Sequence, residues 1–188
     1  TGLGLENYTK DAVEKAIKNF WPCVERLAKE KVDLIIFSGA PISAALTRPR
    51  VLELLRQVKE KTGINADAPL EAAIAAMKHL GLKKLSIGSR WADPVNDAMI
   101  RYFAEAEIEV VHTTKRNQWA AEAFGMTLEE GLQAAVDVGR EAVSQAPQAE
   151  AIFVAGGAAM SLHAIPTIEE EFAKPTFTNM SAEVWHDL

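Results

Sequence analysis

An α/β fold with open, mostly parallel sheets and helices on both faces is predicted by three observations. Short, nearly continuous apolar runs, such as Val32–Phe37 and Ala151–Val154, alternate with helical patterns of ten or more residues. Such runs are the mark of strands buried on both faces, and the intervening helices are long enough for right-handed crossovers. Glycine and other small residues follow several runs, as in Ser38-Gly39-Ala40 and Ala155-Gly156-Gly157. Finally, Asp33–Ala40 and Glu150–Gly157 share one plan: an acidic residue, a buried strand, then a small-residue turn. That repeat predicts two pseudo-equivalent lobes, one from residues 1–66 with 175–188 and the other from 67–174.

From the start of the chain, Tyr8–Glu30 places Val13, Ala16, Ile17, Phe20, Val24 and Leu27 at three- and four-residue spacing, an apolar stripe for one helix side. Pro22 is expected to kink or split that helix. The strand over Val32–Phe37 follows, then a helix over about 49–61 that closes at Gly63. The same reading gives a helix over 67–80, a strand over 84–88, a helix over 93–106 opened by Asp93-Pro94, and a strand over 109–112. After an irregular stretch come a helix over 127–145, a strand over 151–154, a helix over 165–173 and a last strand over 175–177.

At 188 residues and 48% apolar composition, the chain can bury one core or two small ones sharing an interface. No apolar run approaches the length of a membrane span, and residues 1–10 lack the pattern of a signal peptide, although a first residue of Thr points to a lost natural start. A single cysteine and the absence of zinc-ligand spacing fit a reducing compartment, so a cytoplasmic location is expected. A net charge of −6 with scattered Lys and Arg gives no basic stripe for nucleic acid. Gly156-Gly157 is followed by Ala158-Ala159-Met160-Ser161, which departs from the glycine pattern of nucleotide loops.

In open α/β sheets ligands bind beyond the carboxyl ends of the strands, which makes both small turns candidate walls of one site. Ser38 and Ser43 flank the first turn, where each is either a turn cap or a hydroxyl for a ligand carboxylate. His163 is either an exposed or capping group or an acid–base group. Asn179 and Ser181 precede a helix start, where capping and carboxylate contact are equally good readings. Trp119, Phe124 and Met126 form a hydrophobic plug or shape a pocket, and Arg48, Arg50, Arg90 and Arg116 are solvated loop charges or attract a dicarboxylate. Cys23, on the flank of the first apolar stripe and far from both turns in the pattern, reads as a structural thiol.

The segment Ala155–Glu169, with Gly156-Gly157 and Ala164-Ile165-Pro166, resembles the strand, glycine turn and Ala-Ile-Pro helix start of arylmalonate decarboxylases. Leu80–Gly88 followed by Trp91 and Asp93-Pro94-Val95-Asn96 resembles a second stretch of the same proteins. The sequence is therefore similar to the arylmalonate decarboxylase and maleate isomerase branch of the aspartate/glutamate racemase superfamily. That resemblance implies flavodoxin-like lobes, no cofactor, and a small carboxylate or dicarboxylate substrate bound through backbone N–H groups and hydroxyls that stabilise an enediolate or carbanion-like intermediate. It implies substrate binding by Ser38, Gly39, Ala40, Ser43, Trp91, Gly156, Gly157, Ala158 and Asn179, and leaves room for a homo-oligomer. It also implies a chain that lacks the family's first strand and stops inside the closing helix.

The family's cysteines would fall at Gly39 and Gly156, so the thiol that supplies the nucleophile or proton is missing and no catalytic residue is assigned. Ala40 and Pro41 stand where hydroxyl residues help hold the carboxylate, and Trp91 replaces a tyrosine. Two expectations follow: a decarboxylase- or isomerase-like enzyme on small acids, or a catalytically silent homologue that binds a small carboxylate or serves as an interaction subunit.

Overall fold

The computed structural model describes residues 2–4, 8–118, 120–156 and 160–188. The first apolar stripe forms α1 (Lys10–Ala16) and α2 (Phe20–Lys29), separated by a 3-10 turn over Ile17–Asn19. The break thus lies ahead of the expected one at Pro22. Proline is tolerated there because it sits in the first turn of α2, where backbone N–H groups have no intrahelical acceptor.

The strand β1 (Leu34–Ile36) runs into α3 (Ala40–Leu46), then α4 (Arg48–Thr62), which ends on Gly63 in the left-handed region. Next come β2 (Asn65–Asp67) and α5 (Pro69–His79). Sequence periodicity gives neither α3 nor β2 and starts a helix at Asp67 instead. β2 is Asn-Ala-Asp, with no apolar run to betray it, and it exists through parallel pairing to β1. The helix begins at Pro69, after the strand.

β3 (Lys84–Gly88), α6 (Asp93–Ala104), β4 (Glu109–Thr113), α7 (Ala120–Phe124) and α8 (Leu128–Gln145) follow. Then come β5 (Ala151–Val154), α9 (Ser161–Phe172), β6 (Thr176–Phe177) and α10 (Asn179–Asp187). The helix α9 starts four residues earlier than expected and runs through Pro166. Capping boxes on Thr127 and Thr178 open α8 and α10.

β1 and β2 make a two-stranded parallel sheet, and β4-β3-β5-β6 make a four-stranded parallel one. β6, expected with the first lobe, is hydrogen-bonded to β5 of the larger sheet. α10 then packs along α5, so the end of the chain touches both regions.

Alternation along β5 divides the core. Ala151 and Phe153 face a large apolar cluster shared with Ile35, Phe37, Leu70 and Phe103, while Ile152 and Val154 face a second cluster under α8 and α9. Each fully buried Phe or Ile contributes about 1.5–3 kcal/mol relative to an exposed position. Gly139 on α8 lets that helix meet α9 closely, since a Cβ there would lie 2.2 Å from Cδ1 of Ile168. Among the described residues no helix is long and apolar enough to cross a membrane.

Candidate active site

At the carboxyl end of β5 the chain turns through Gly156 at φ +104, a conformation that L side chains rarely adopt. Its N–H donates to Oδ1 of Asn179 at 3.2 Å. Asn179 is the first residue of α10, and the cap of that helix is Thr178, which with Ser181 closes the capping box. Asn179 is thereby freed for the turn. Gly157 and Ala158 lie outside the described residues, as does Trp119.

The residues after β3 reach the same turn. A Cβ on Gly156 would stand 3.1 Å from Nε of Arg90 and 3.5 Å from the Trp91 ring. Ser89, Arg90 and Trp91 are held by a buried network. The Ser89 N–H donates to Oγ1 of Thr114 at 2.7 Å, the Ser89 hydroxyl donates to Oδ1 of Asn96 at 2.5 Å, and Nδ2 of Asn96 donates to the carbonyls of Trp91 and Thr114. Asn96, singled out in sequence only as part of the Asp93–Asn96 run, is thus the brace of the β3 turn.

The arginines separate cleanly. Arg48 forms a two-pronged ion pair with Glu71, which holds its pKa above the ordinary guanidinium value. Arg116 bonds Glu141 at 2.6 Å, and Arg50 is exposed. Arg90 is only 7% exposed, and its Nε and Nη1 have no hydrogen-bond partner among the described residues. Its guanidinium carbon lies 5.8 Å from the Trp91 ring centre, within cation–π reach. Burial pulls its pKa below the ordinary value, while nearby Tyr8 acts in the opposite sense. On the segments that follow β1, β3 and β5, the hydroxyls of Ser43 and Ser161 and the indole Nε1 of Trp91 are also buried without a partner among the described residues. Arg90, Ser161 and Gly156 line a cavity of about 420 Å³, with Met126, Gln118 and Asp137 on its other walls.

The first turn is built differently. Gly39 has φ +114, and its carbonyl accepts from the N–H groups of Ile42 and Ser43, the opening bonds of α3. Ala40 and Pro41 are buried as the first residues of that helix. Ser38 lines a separate cavity of about 300 Å³ with Ile42, Phe20 and Cys23. Cys23, expected far from both turns, therefore borders the flank of the first one, because α2 packs on β1. Phe124 and His163 are exposed, whereas Met126 is half-buried.

A carboxylate cluster lies further along α10. Nδ1 of His186 is 2.8 Å from Oδ2 of Asp67, and Asp187 completes a group whose ligand atoms fall within 4.8 Å of one another. Glu183 is buried beside them, and burial together with Asp67 and Asp187 pushes its pKa up to about 7.

Comparisons with known proteins identify the family and the fold. The family described as arylmalonate decarboxylase matches residues 1–188. The chain belongs to the arylmalonate decarboxylase family. The arylmalonate decarboxylase of Bordetella bronchiseptica is 22% identical over 185 residues, covering 98% of this chain and 76% of that protein. A liganded mutant of arylmalonate decarboxylase superposes with a TM-score of 0.89 at 20% identity, covering 99% of this chain and 78% of that one. The maleate isomerase of Pseudomonas putida S16, solved with maleate, gives 0.81 at 15% identity, covering 96% of this chain and 72% of that one.

Within the arylmalonate decarboxylase family frame, the structure brings Trp91, Gly156 and Asn179 together and adds Arg90, one of four arginines that the sequence left between loop charge and dicarboxylate contact, and Ser161, to which it gave no binding role. Arg90 carried a signal: it is a charge inside the otherwise small or apolar Gly88-Ser89-Arg90-Trp91. Ser161 carried none, because α9 was expected to begin after it.

Proposed function

We propose that this chain is an enzyme acting on small carboxylic acids by stabilising the negative charge of an enediolate or carbanion-like intermediate. The observation that carries this reading is the set of orphaned buried donors, Ser43, Arg90, Trp91 and Ser161, on the segments that leave β1, β3 and β5. A buried donor without a partner costs about 1–3 kcal/mol, so four on the segments around the glycine turns point to a ligand that supplies acceptor oxygens. Family membership supports the same substrate class. Donors aimed at developing oxyanion charge lower the barrier more than they tighten ground-state binding.

The chain's own residues supply binding and charge stabilisation. Gly156 lets Arg90 and Trp91 approach the backbone, Asn179 orients the turn, and Ser161 and Ser43 offer hydroxyls. Neither turn carries a thiol, so the proton is delivered by water or by a donor other than cysteine. The reading calls on no cofactor, and a chain with one cysteine suits a reducing cytoplasm.

Deuterium incorporation at the α-carbon of methylmalonate, followed by NMR in D2O, tests the reading. Exchange or loss of carbon dioxide above the rate with heat-unfolded protein is the expected result. Binding of malonates and maleate with neither exchange, decarboxylation nor isomerisation would instead make the chain a carboxylate-binding homologue.

A further inference from the structure

The Arg90 guanidinium lies against Gly156. The position in which a side chain on residue 156 would begin is 3.1 Å from Nε of Arg90, a tight contact, and φ +104 disfavours a side chain there in any case. At 7% exposure, a cation with two nitrogens lacking acceptors among the described residues is an expensive arrangement unless an anion completes it. Ser161, 1% exposed, adds an unpartnered hydroxyl on the same cavity wall. It is the first residue of the twelve-residue helix α9, whose N-terminal end favours negative charge. The acidic residues of the lining, Glu122 and Asp137, are exposed, and Asp137 is bonded by Gln133 at 2.7 Å. The buried part of the cavity is therefore a donor set and its solvated part carries the carboxylates.

We propose that Arg90 and Ser161 form an oxyanion subsite beside Gly156 that selects small acids carrying a second anionic group over acids whose second substituent is an aryl ring. This assignment rests on the small-acid reading above and names the substrate class of that site. An aryl ring in this position would leave the guanidinium buried and unpaired, whereas a second carboxylate satisfies it by charge-assisted hydrogen bonds.

The experiment is calorimetric titration of the chain with malonate and maleate against phenylacetate and acetate, at about pH 8 so that both carboxylates of the diacids are ionised. The dianions bind at least about tenfold more tightly than the monoanions. Arg90→Gln weakens dianion binding by about 10- to 100-fold, changes monoanion binding far less, and Arg90→Lys recovers part of the loss. Ser161→Ala, which leaves the arginine in place, gives a smaller drop of about three- to tenfold and serves if the arginine variants fail to fold. Without ligand, Arg90→Gln melts no lower than the parent, since a buried unpaired charge is removed. A folded Arg90→Gln that binds dianions as tightly as the parent overturns the subsite while leaving the small-acid reading intact. No binding of either class by the parent overturns both.

Discussion

The Gly39 and Gly156 turns follow the same plan in sequence, yet they are held by different forces. At Gly39 the bonds are local: its carbonyl accepts from Ile42 and Ser43, three and four residues on, and Pro41 contributes no donor at all. At Gly156 the partners come from afar, with Asn179 twenty-three residues ahead and Arg90 and Trp91 more than sixty behind. A turn closed by its own helix gains rigidity but turns two of its N–H groups inward. A turn closed by remote side chains can present a charge, a hydroxyl and an indole N–H around one glycine. The lesson is that an internal repeat fixes where two turns lie, and the residues delivered to each decide what it can recognise.

The largest effect is expected from removing the brace of the β3 turn, which carries Arg90 and Trp91. Asn96→Ala deletes three hydrogen bonds and leaves the Ser89 hydroxyl proton and the carbonyls of Trp91 and Thr114 without these partners in a buried site. We expect a loss of about 3 kcal/mol in urea unfolding, together with weakened carboxylate binding. A stability loss under about 1 kcal/mol would mean that the β3 turn stands without Asn96.

The helix α10 joins the two regions, bonding the Gly156 turn at its first residue and reaching Asp67 of β2 through its last turns. Glu183 reports on that bridge. Its pKa stands near 7 in the fold against an ordinary 4.5, so the folded chain keeps a proton that the unfolded chain releases between those values. Stability therefore declines as pH rises across that interval, with Asp67, His186 and Asp187 as the charged neighbours. Between about pH 5 and pH 8 we expect Tm to fall by about 3 °C more in the parent than in Glu183→Gln, measured by circular dichroism. Parallel curves for the two proteins would show that Glu183 holds no extra proton.

The smallest effect belongs to the locally built turn. Ser43 is fully buried with an unpartnered hydroxyl, so Ser43→Ala raises the unfolding free energy by up to about 1 kcal/mol, the relief of the stranded hydroxyl less the small void it leaves. A loss of stability instead would reveal a hydrogen bond at Ser43 in solution and bring the first turn closer to the second in construction.

The alternation of buried strands and amphipathic helices was legible because it repeats along the chain with periods of 2 and 3.6. β3 and β5 came out with their observed bounds, and so did the glycine end of α4. β2 was invisible because Asn65-Ala66-Asp67 carries no apolar signal and depends on β1 for its pairing. The grouping of Trp91, Gly156 and Asn179 was partly legible through the resemblance of the surrounding segments. Arg90 was legible as a residue and not as a role, since four arginines near strand ends look alike until three of them are found paired or exposed.

What the sequence determined by itself, then, was the α/β architecture, the two glycine turns and the absence of a thiol from both, because each is a property of residue type and short-range spacing. Only the tertiary structure decided that β6 joins the larger sheet, that α10 spans both regions, and that the Arg90 guanidinium is buried against the glycine of the second turn. Those outcomes depend on contacts between residues tens of positions apart, and burial assigns a different cost to the same guanidinium according to which acceptors the fold brings to it.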